Sequence, residues 1–319
     1  MGVYFISKDG ATLRHIVEGD VFHADLSPDG TEVVYQRDNQ VVATDIASGT
    51  TRVIVPQPAD GQVYGPAWSA TGRYVSYYLY GEDGTREARI VHRNGTGSRP
   101  LIAGGRLEVG IKDWLPDDSA AIVISNRPAP SAPADPRHYH IQTVTADGIA
   151  SPSLATFEPC GCGGGPAFQV LASPDGKRFA YSDETGGVFV ANIDGTDLRD
   201  VTQTKQGDLM GWVDDQTLAF RAFREGEAAP FGSAYRLDLT SGTATPARLS
   251  LAVAPDGSAV KDFLWRCAVP SWLFFQTPDG SEREMLRGRI PGEWWLSDAE
   301  WLPDGSGLVF TVTRHDVCV

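Results

Sequence analysis

The sequence predicts an all-β protein: a seven-bladed β-propeller of four-stranded blades. Three observations carry that expectation. A turn signature of the form xPDG returns along the chain at intervals of 40 to 58 residues. Short runs of alternating apolar and polar residues flank the copies, the period-2 pattern of half-buried strands. The 35 glycines and 21 prolines among 319 residues suit a chain that reverses often.

The elements follow in order. The chain starts with two strand-like runs, VYFIS (Val3–Ser7) and TLRHIV (Thr12–Val17), joined by a KDG turn. The first full repeat is SPDGTEVVYQRDNQVVATDIASGTTRVIV, from Ser27 to Val55. It is echoed by SPDGKRFAYSDETGGVFVANIDGTDLRDVT, from Ser173 to Thr202. The remaining turns are WSATG at Trp68, WLPDD at Trp114, WVDDQ at Trp212, VAPDG at Val253 and WLPDG at Trp301. A TPDG at Thr277 falls inside a repeat and reads as an ordinary hairpin turn. In each unit proline presets φ and Asp-Gly supplies the tight reversal. Four strands every 40 to 50 residues is blade spacing, and a lone blade cannot bury both of its faces.

The last turn is followed by one more strand, GLVFTVT. The N-terminal pair is therefore expected to complete the last blade, shared between about residues 1–19 and 299–319. That closes the ring and removes open sheet edges. A single propeller domain over 1–319, with no extra domain, is the expectation; six blades is the alternative count.

The repeat unit resembles the WD40-like (PD40) repeat of the TolB-like β-propellers. The likeness is strongest at Ser173–Thr202 and Ser27–Val55 and weak around Trp212. It implies the propeller fold and leaves function open, because one fold hosts many chemistries. The separate N-terminal domain of TolB and its usual six blades have no counterpart here. Similar repeats form the propellers of prolyl-oligopeptidase-type peptidases, whose hydrolase domain has no counterpart either: no GxSxG occurs in this chain.

A formal net charge of −14 argues against nucleic-acid phosphates and anionic membrane surfaces as main partners. No run of 18 apolar residues occurs, so no transmembrane segment is expected. MGVYFISKDG has no basic segment followed by an apolar one, so it does not read as a signal peptide. The chain as given is expected in the cytoplasm, or exported if it is a trimmed mature form.

Aligning the seven turns locates the candidate sites. Two residues before the proline position stand Leu26, Trp68, Trp114, Ala172, Trp212, Val253 and Trp301, expected to wedge between blades. One residue earlier stand Asp25, Ala67, Asp113, Leu171, Gly211, Ala252 and Glu300, expected to face a central channel. Strict alternation adds His23, Gln169 and Asp298 to that face. His23, Asp25, Asp298 and Glu300 are thus candidate ligands for a divalent cation, calcium or manganese, at the channel mouth. A polar lining wetted by water explains the same residues, and no cofactor is required.

Candidate binding residues lie on long loops: Arg137 and His138 after RPAPSAPADP, Phe231 in REGEAAPFG, and Glu293, Trp294 and Trp295 in GRIPGEWWLSD. Aromatics there suit a protein, peptide or sugar. The four cysteines, Cys160, Cys162, Cys267 and Cys318, do not have the spacing of a zinc site. No phosphate loop, dinucleotide fingerprint or HExxH occurs. The expected function is a non-catalytic scaffold that binds a protein or peptide partner. The alternatives are a lyase, hydrolase or cyclase with a cation at the channel mouth, and glycan or small-molecule binding.

Overall fold

The structure is a computed structural model. It describes residues 2–102, 109–126, 138–157, 169–182, 187–201, 207–222, 233–247, 252–253, 259–262, 273–276, 281–286, 289–290 and 294–314. All regular structure among them is β, arranged as seven four-stranded antiparallel sheets. This architecture matches a β-propeller.

Each sheet begins with the strand that leads into an xPDG turn. The first holds Phe22–Leu26, Glu32–Arg37, Gln40–Asp45 and Thr51–Val55, in that order. The second holds Gln62–Trp68, Tyr74–Tyr80, Arg86–His92 and Arg99–Ile102. The third holds Val109–Trp114, Ala120–Ser125, Tyr139–Thr145 and Ala155–Phe157. The fourth holds Val170–Ala172, Arg178–Ser182, Val188–Asn192 and Arg199–Asp200. The fifth holds Gly207–Asp214, Thr217–Ala222, Ser233–Asp238 and Ala244–Ala247. The sixth holds Ala252–Val253, Ala259–Asp262, Leu273–Gln276 and Glu282–Glu284.

The seventh sheet takes its strands from both ends of the described chain. Its order is Trp294–Trp301, Gly307–Arg314, Gly2–Ser7 and Leu13–Glu18. Gly2 pairs with Val312 and Ser7 with Gly307, antiparallel and without a slip. The N-terminal pair completes the C-terminal sheet, as the strand count in the sequence requires.

The chain divides into two compact units. One comprises Met1–Trp68, Val91–Gly97 and Leu249–Val319; the other comprises Ser69–Ile90 and Ser98–Arg248. In the first unit, Val3, Val17, Val21, Leu26, Tyr35, Val42 and Val309 form one buried cluster drawn from the seventh and first sheets. Ile6, Phe275, Met285, Leu286, Leu308 and Phe310 form another. In the second unit, Ile122, Ile124 and Ile141 pack with Val170, Phe179 and Tyr181. There too, Ala180, Val190, Leu218, Phe220 and Leu237 join the fourth sheet to the fifth. In these clusters the apolar faces of neighbouring sheets are buried against one another.

Of the residues two before the proline position, Leu26, Trp68 and Trp114 are buried, Trp212 and Trp301 pack against the clusters of their sheets, Ala172 is half-buried, and the side chain of Val253 lies outside those described.

The turns repeat one hydrogen-bonded design. In the first, Ser27 Oγ donates to Asp29 Oδ1 at 2.6 Å, and Thr31 N donates to the same oxygen at 3.1 Å. Ser173 and Asp175 repeat the pair at 2.6 Å. The turn glycines Gly30, Gly72, Gly176 and Gly305 all adopt φ of 67–71°, the left-handed region in which a side chain is strained. A Cβ on Gly30 would stand 2.6 Å from Pro303 Cδ, and one on Gly176 would stand 3.1 Å from Pro116 Cδ. Gly30 and Gly176 thus each receive the proline ring of the turn before them.

Candidate functional site

The acids one residue before the wedges are tied to the neighbouring sheet. Asp25 Oδ2 accepts a hydrogen bond from Trp68 N at 2.5 Å. Asp113 Oδ2 accepts from Ala172 N at 2.8 Å, and Glu300 Oε1 accepts from Leu26 N at 3.4 Å. Donor and acceptor occupy the same two alignment positions in all three pairs. An acid in one repeat thus fixes the wedge residue of the next. Burial pushes the Asp113 carboxyl above its ordinary value, opposed by the bonds from Ala172 and Trp114. These acids were expected to line a channel because strands alternate. The backbone bonds supply a different reason for their presence.

Alternation also fails where the cation site needs it. A bulge separates Phe22, paired with Gln36, from Asp25, paired with Val34. His23 lies inside it with φ of 51°, and its ring packs edge-on against Tyr64 at 4.3 Å. A second bulge separates Ser297 from Glu300, around Asp298. The third and fifth sheets are bulged at the matching place, before Asp113 and Gly211. One extra residue interrupts the alternation, so simple alternation no longer places His23 or Asp298 on the face of Asp25 and Glu300. Among the described residues, no three His, Cys, Asp or Glu side chains group closely enough to hold a metal ion.

Other sequence candidates fall as follows. Trp294 and Trp295 begin the first strand of the seventh sheet, in register with Arg314 and Thr313. His138 is half-buried just before the strand Tyr139–Thr145. Arg137, Phe231 and Glu293 lie outside the described residues, as do all four cysteines.

Sequence reasoning passed over an aromatic group at the start of the first and second sheets. Phe22 is 55% exposed and Tyr64 is 43% exposed, unusual for rings of that size, and the His23 ring stands against Tyr64. Both residues stand six places before the proline position of their turns, Pro28 and Ala70. The alignment that gave the wedges would have shown them four places further out.

A charged cluster braces the first unit nearby. Arg93 donates to Asp29 Oδ2 at 2.6 Å, Glu32 Oε2 at 2.7 Å and Thr31 Oγ1 at 2.8 Å. Its guanidinium lies 5.1 Å from the Trp68 ring centroid, and Arg52 reaches Glu32 Oε1 at 2.6 Å. Burial pushes the Asp29 carboxyl up, but the bonds from Arg93, Ser27 and Thr31 outweigh it and hold the group well below the usual carboxylate range.

No protein-family model matches the sequence, and no curated protein matches it. Solved structures do match. An oligogalacturonate lyase from Vibrio parahaemolyticus aligns with a TM-score of 0.67 at 10% identity, covering 98% of this chain and 97% of that one. The β-propeller domain of the Trilobed protease from Pyrococcus furiosus aligns with a TM-score of 0.58 at 10% identity, covering 88% of each chain. A protein assigned as TolB from Agrobacterium tumefaciens aligns with a TM-score of 0.51 at 13% identity, covering 76% of this chain and 87% of that one. At such identities the likeness shows the fold, which is that of the TolB-like β-propellers.

Proposed function

We propose that this chain is a seven-bladed propeller that binds a protein or peptide through the ends of its sheets. One observation carries the reading: Phe22 and Tyr64 stand exposed beside His23 at equivalent ends of two first strands. Trp294 and Trp295 begin the equivalent strand of the seventh sheet. Aromatic rings at such a place add contact area at low entropic cost, as binding hot spots do. His23 holds a left-handed backbone, a strain that suits a residue kept for contact. The seven sheets are taken as seven blades of one domain spanning 1–319.

The test is selection from a displayed peptide library. Peptides that bind the wild type are expected to lose about tenfold or more in affinity when Phe22→Ser and Tyr64→Ser are combined, since a truncated aromatic anchor costs about 1–3 kcal/mol. Retention of the selected peptides by a folded double variant would overturn the reading. The cation-centred alternative keeps His23, Asp25, Asp298 and Glu300 as ligands to calcium or manganese. A cation there would compete with the backbone bonds that Asp25 and Glu300 accept. Added Ca²⁺ or Mn²⁺ is therefore expected to leave the Tm unmoved; a saturable rise, lost in Asp25→Asn with Glu300→Gln, would reverse that choice.

A further inference from the structure

The two ends of the first sheet differ in how their charges are settled. At the end that carries the xPDG turn, Arg93 reaches Asp29 at 2.6 Å and Glu32 at 2.7 Å, and Arg52 reaches Glu32 at 2.6 Å. The opposite end holds Phe22, and a run of pairings and hydrogen bonds ties it together. Phe22 pairs with Gln36, and Arg37 pairs with Gln40 across the turn Asp38–Asn39. The Asn39 side chain donates to Gly61 O at 3.0 Å and accepts from Val63 N at 2.8 Å. This sets the turn against the start of the strand that carries Tyr64. Arg37 donates to Glu18 O, which brings the link at residues 18–22 to the same place.

Asp20, Asp38 and Asp60 therefore come to the end where the two exposed rings stand. All three are exposed, and among the described residues none of them forms an ion pair. Arg37, next to Asp38 in the chain, is turned to the Tyr35 ring at 5.1 Å and to the Glu18 carbonyl. The acids of the turn end are thus neutralised within the fold, and those of the aromatic end face solvent. Aromatic faces carry the negative side of a quadrupole, so rings and carboxylates here favour the same sign of charge in a partner.

We infer that the partner taken by this aromatic end is a basic peptide, with an arginine or lysine side chain laid on the rings of Phe22 and Tyr64 and its charge met by Asp20, Asp38 and Asp60. The inference rests on the binding reading proposed above and adds the chemistry of the partner. Exposed acids alone would attract any counter-ion, and exposed rings alone would accept any apolar side chain. The two together select a side chain that is apolar along its stem and positive at its tip. A guanidinium suits both, since it stacks on an aromatic face and bonds a carboxylate with two parallel N–H groups. An acidic peptide would meet like charge at the same place. The net charge of −14 draws a basic segment in from a distance and speeds its approach.

The test uses peptides selected by display against the wild type. They are expected to be enriched in arginine and lysine over the starting library. In the tightest of them, made synthetically, replacing those residues by glutamine is expected to weaken binding about tenfold or more. Raising sodium chloride from about 50 to about 500 mM is expected to weaken the unsubstituted peptide about tenfold. Asp20→Asn, Asp38→Asn and Asp60→Asn combined are expected to remove most of that salt dependence and to leave the Tm unmoved. Asparagine tolerates the left-handed backbone that Asp38 holds, with φ of 49°. Each single variant is expected to show part of the loss, and these carry the test if the triple variant does not fold. The inference is overturned if the selected peptides are neutral or acidic yet lose binding to Phe22→Ser with Tyr64→Ser, which leaves the binding reading standing. It is overturned as well if the aspartate variants bind the basic peptides as tightly as the wild type does. Basic peptides that bind unchanged to a folded Phe22→Ser, Tyr64→Ser variant overturn the binding reading and this inference with it, as does a library that yields no binder.

Discussion

Asp118 shows how two irregular repeats are made compatible. It stands where other turns have glycine, takes φ of 58°, and is only 3% exposed. Its carboxylate accepts from Ser69 Oγ at 2.7 Å, from Thr71 N at 3.0 Å and from the Thr71 hydroxyl. Thr71 stands where the first and fourth turns have their aspartate, and Ala70 where they have proline. The missing acid of WSATG is thus supplied by WLPDD, and the missing proline ring leaves room for it. Asp118→Gly is expected to destabilise the protein by about 1–3 kcal/mol in urea denaturation, although it restores the common turn, because buried donors lose their acceptor. Adding Thr71→Asp is expected to recover much of the loss; a double variant no better than Asp118→Gly would sink this account. Both irregular turns are visible in the sequence. That they compensate each other is not, since the partners lie 47 residues apart and only the stacking of sheets joins them.

At the scale of the element, the turns govern the response to acid. The causes differ: Asp175 is lowered chiefly by the Ser173 hydroxyl and Asp304 by that of Ser306, whereas burial pushes Asp29 up and the bonds from Arg93, Ser27 and Thr31 outweigh it. A carboxyl lowered on folding binds its proton more weakly in the folded chain. Its contribution is complete above the unfolded value of about 3.9 and is lost as pH falls below it. Asp113 is raised by burial and offsets part of that loss. The Tm is expected to hold between pH 7 and 5 and to fall steeply below about pH 4. A Tm that rises on acidification in scanning calorimetry would contradict the assignment. Arg93→Ala is expected to reduce stability by about 1–2 kcal/mol, a figure discounted for partial exposure, and to flatten the acid limb. Strands and turns were legible because period-2 alternation and Pro-Asp-Gly are local signals. The bulges were not: inserting one residue changes no composition, yet it breaks the alternation from which the positions of His23 and Asp298 were read. The acids at Asp25, Asp113 and Glu300 were singled out as channel-facing; their backbone partners, on another repeat, were not visible in the sequence.

For the whole molecule, the seventh sheet is the feature on which completeness depends. Val3 and Ile6 are fully buried, and Gly2–Ser7 covers one edge of Gly307–Arg314. Deleting residues 2–18 is expected to expose that edge and to give a chain that aggregates or melts without a cooperative transition. A circular permutant that moves residues 2–18 behind residue 314 through a short Gly/Ser linker is expected to melt cooperatively within a few degrees of the parent, because Gly2 pairs near the end of that strand, at Val312. Failure of the permutant to fold would show that the covalent link at residues 18–22 matters more than the pairing. The strand count in the sequence was enough to foresee this sheet, since unpaired halves at both ends complement each other in only one way.

That sheet also sets an order on biosynthesis. Gly2–Ser7 leaves the ribosome before its partner Gly307–Arg314, which is about 300 residues behind it. At about 5–20 residues per second the first hairpin waits tens of seconds with an apolar edge open to other chains. The edge of residues 2–7 then stays open until residues 307–314 have emerged, and a chaperone that shields residues 2–18 over that interval would raise the yield without touching the finished fold.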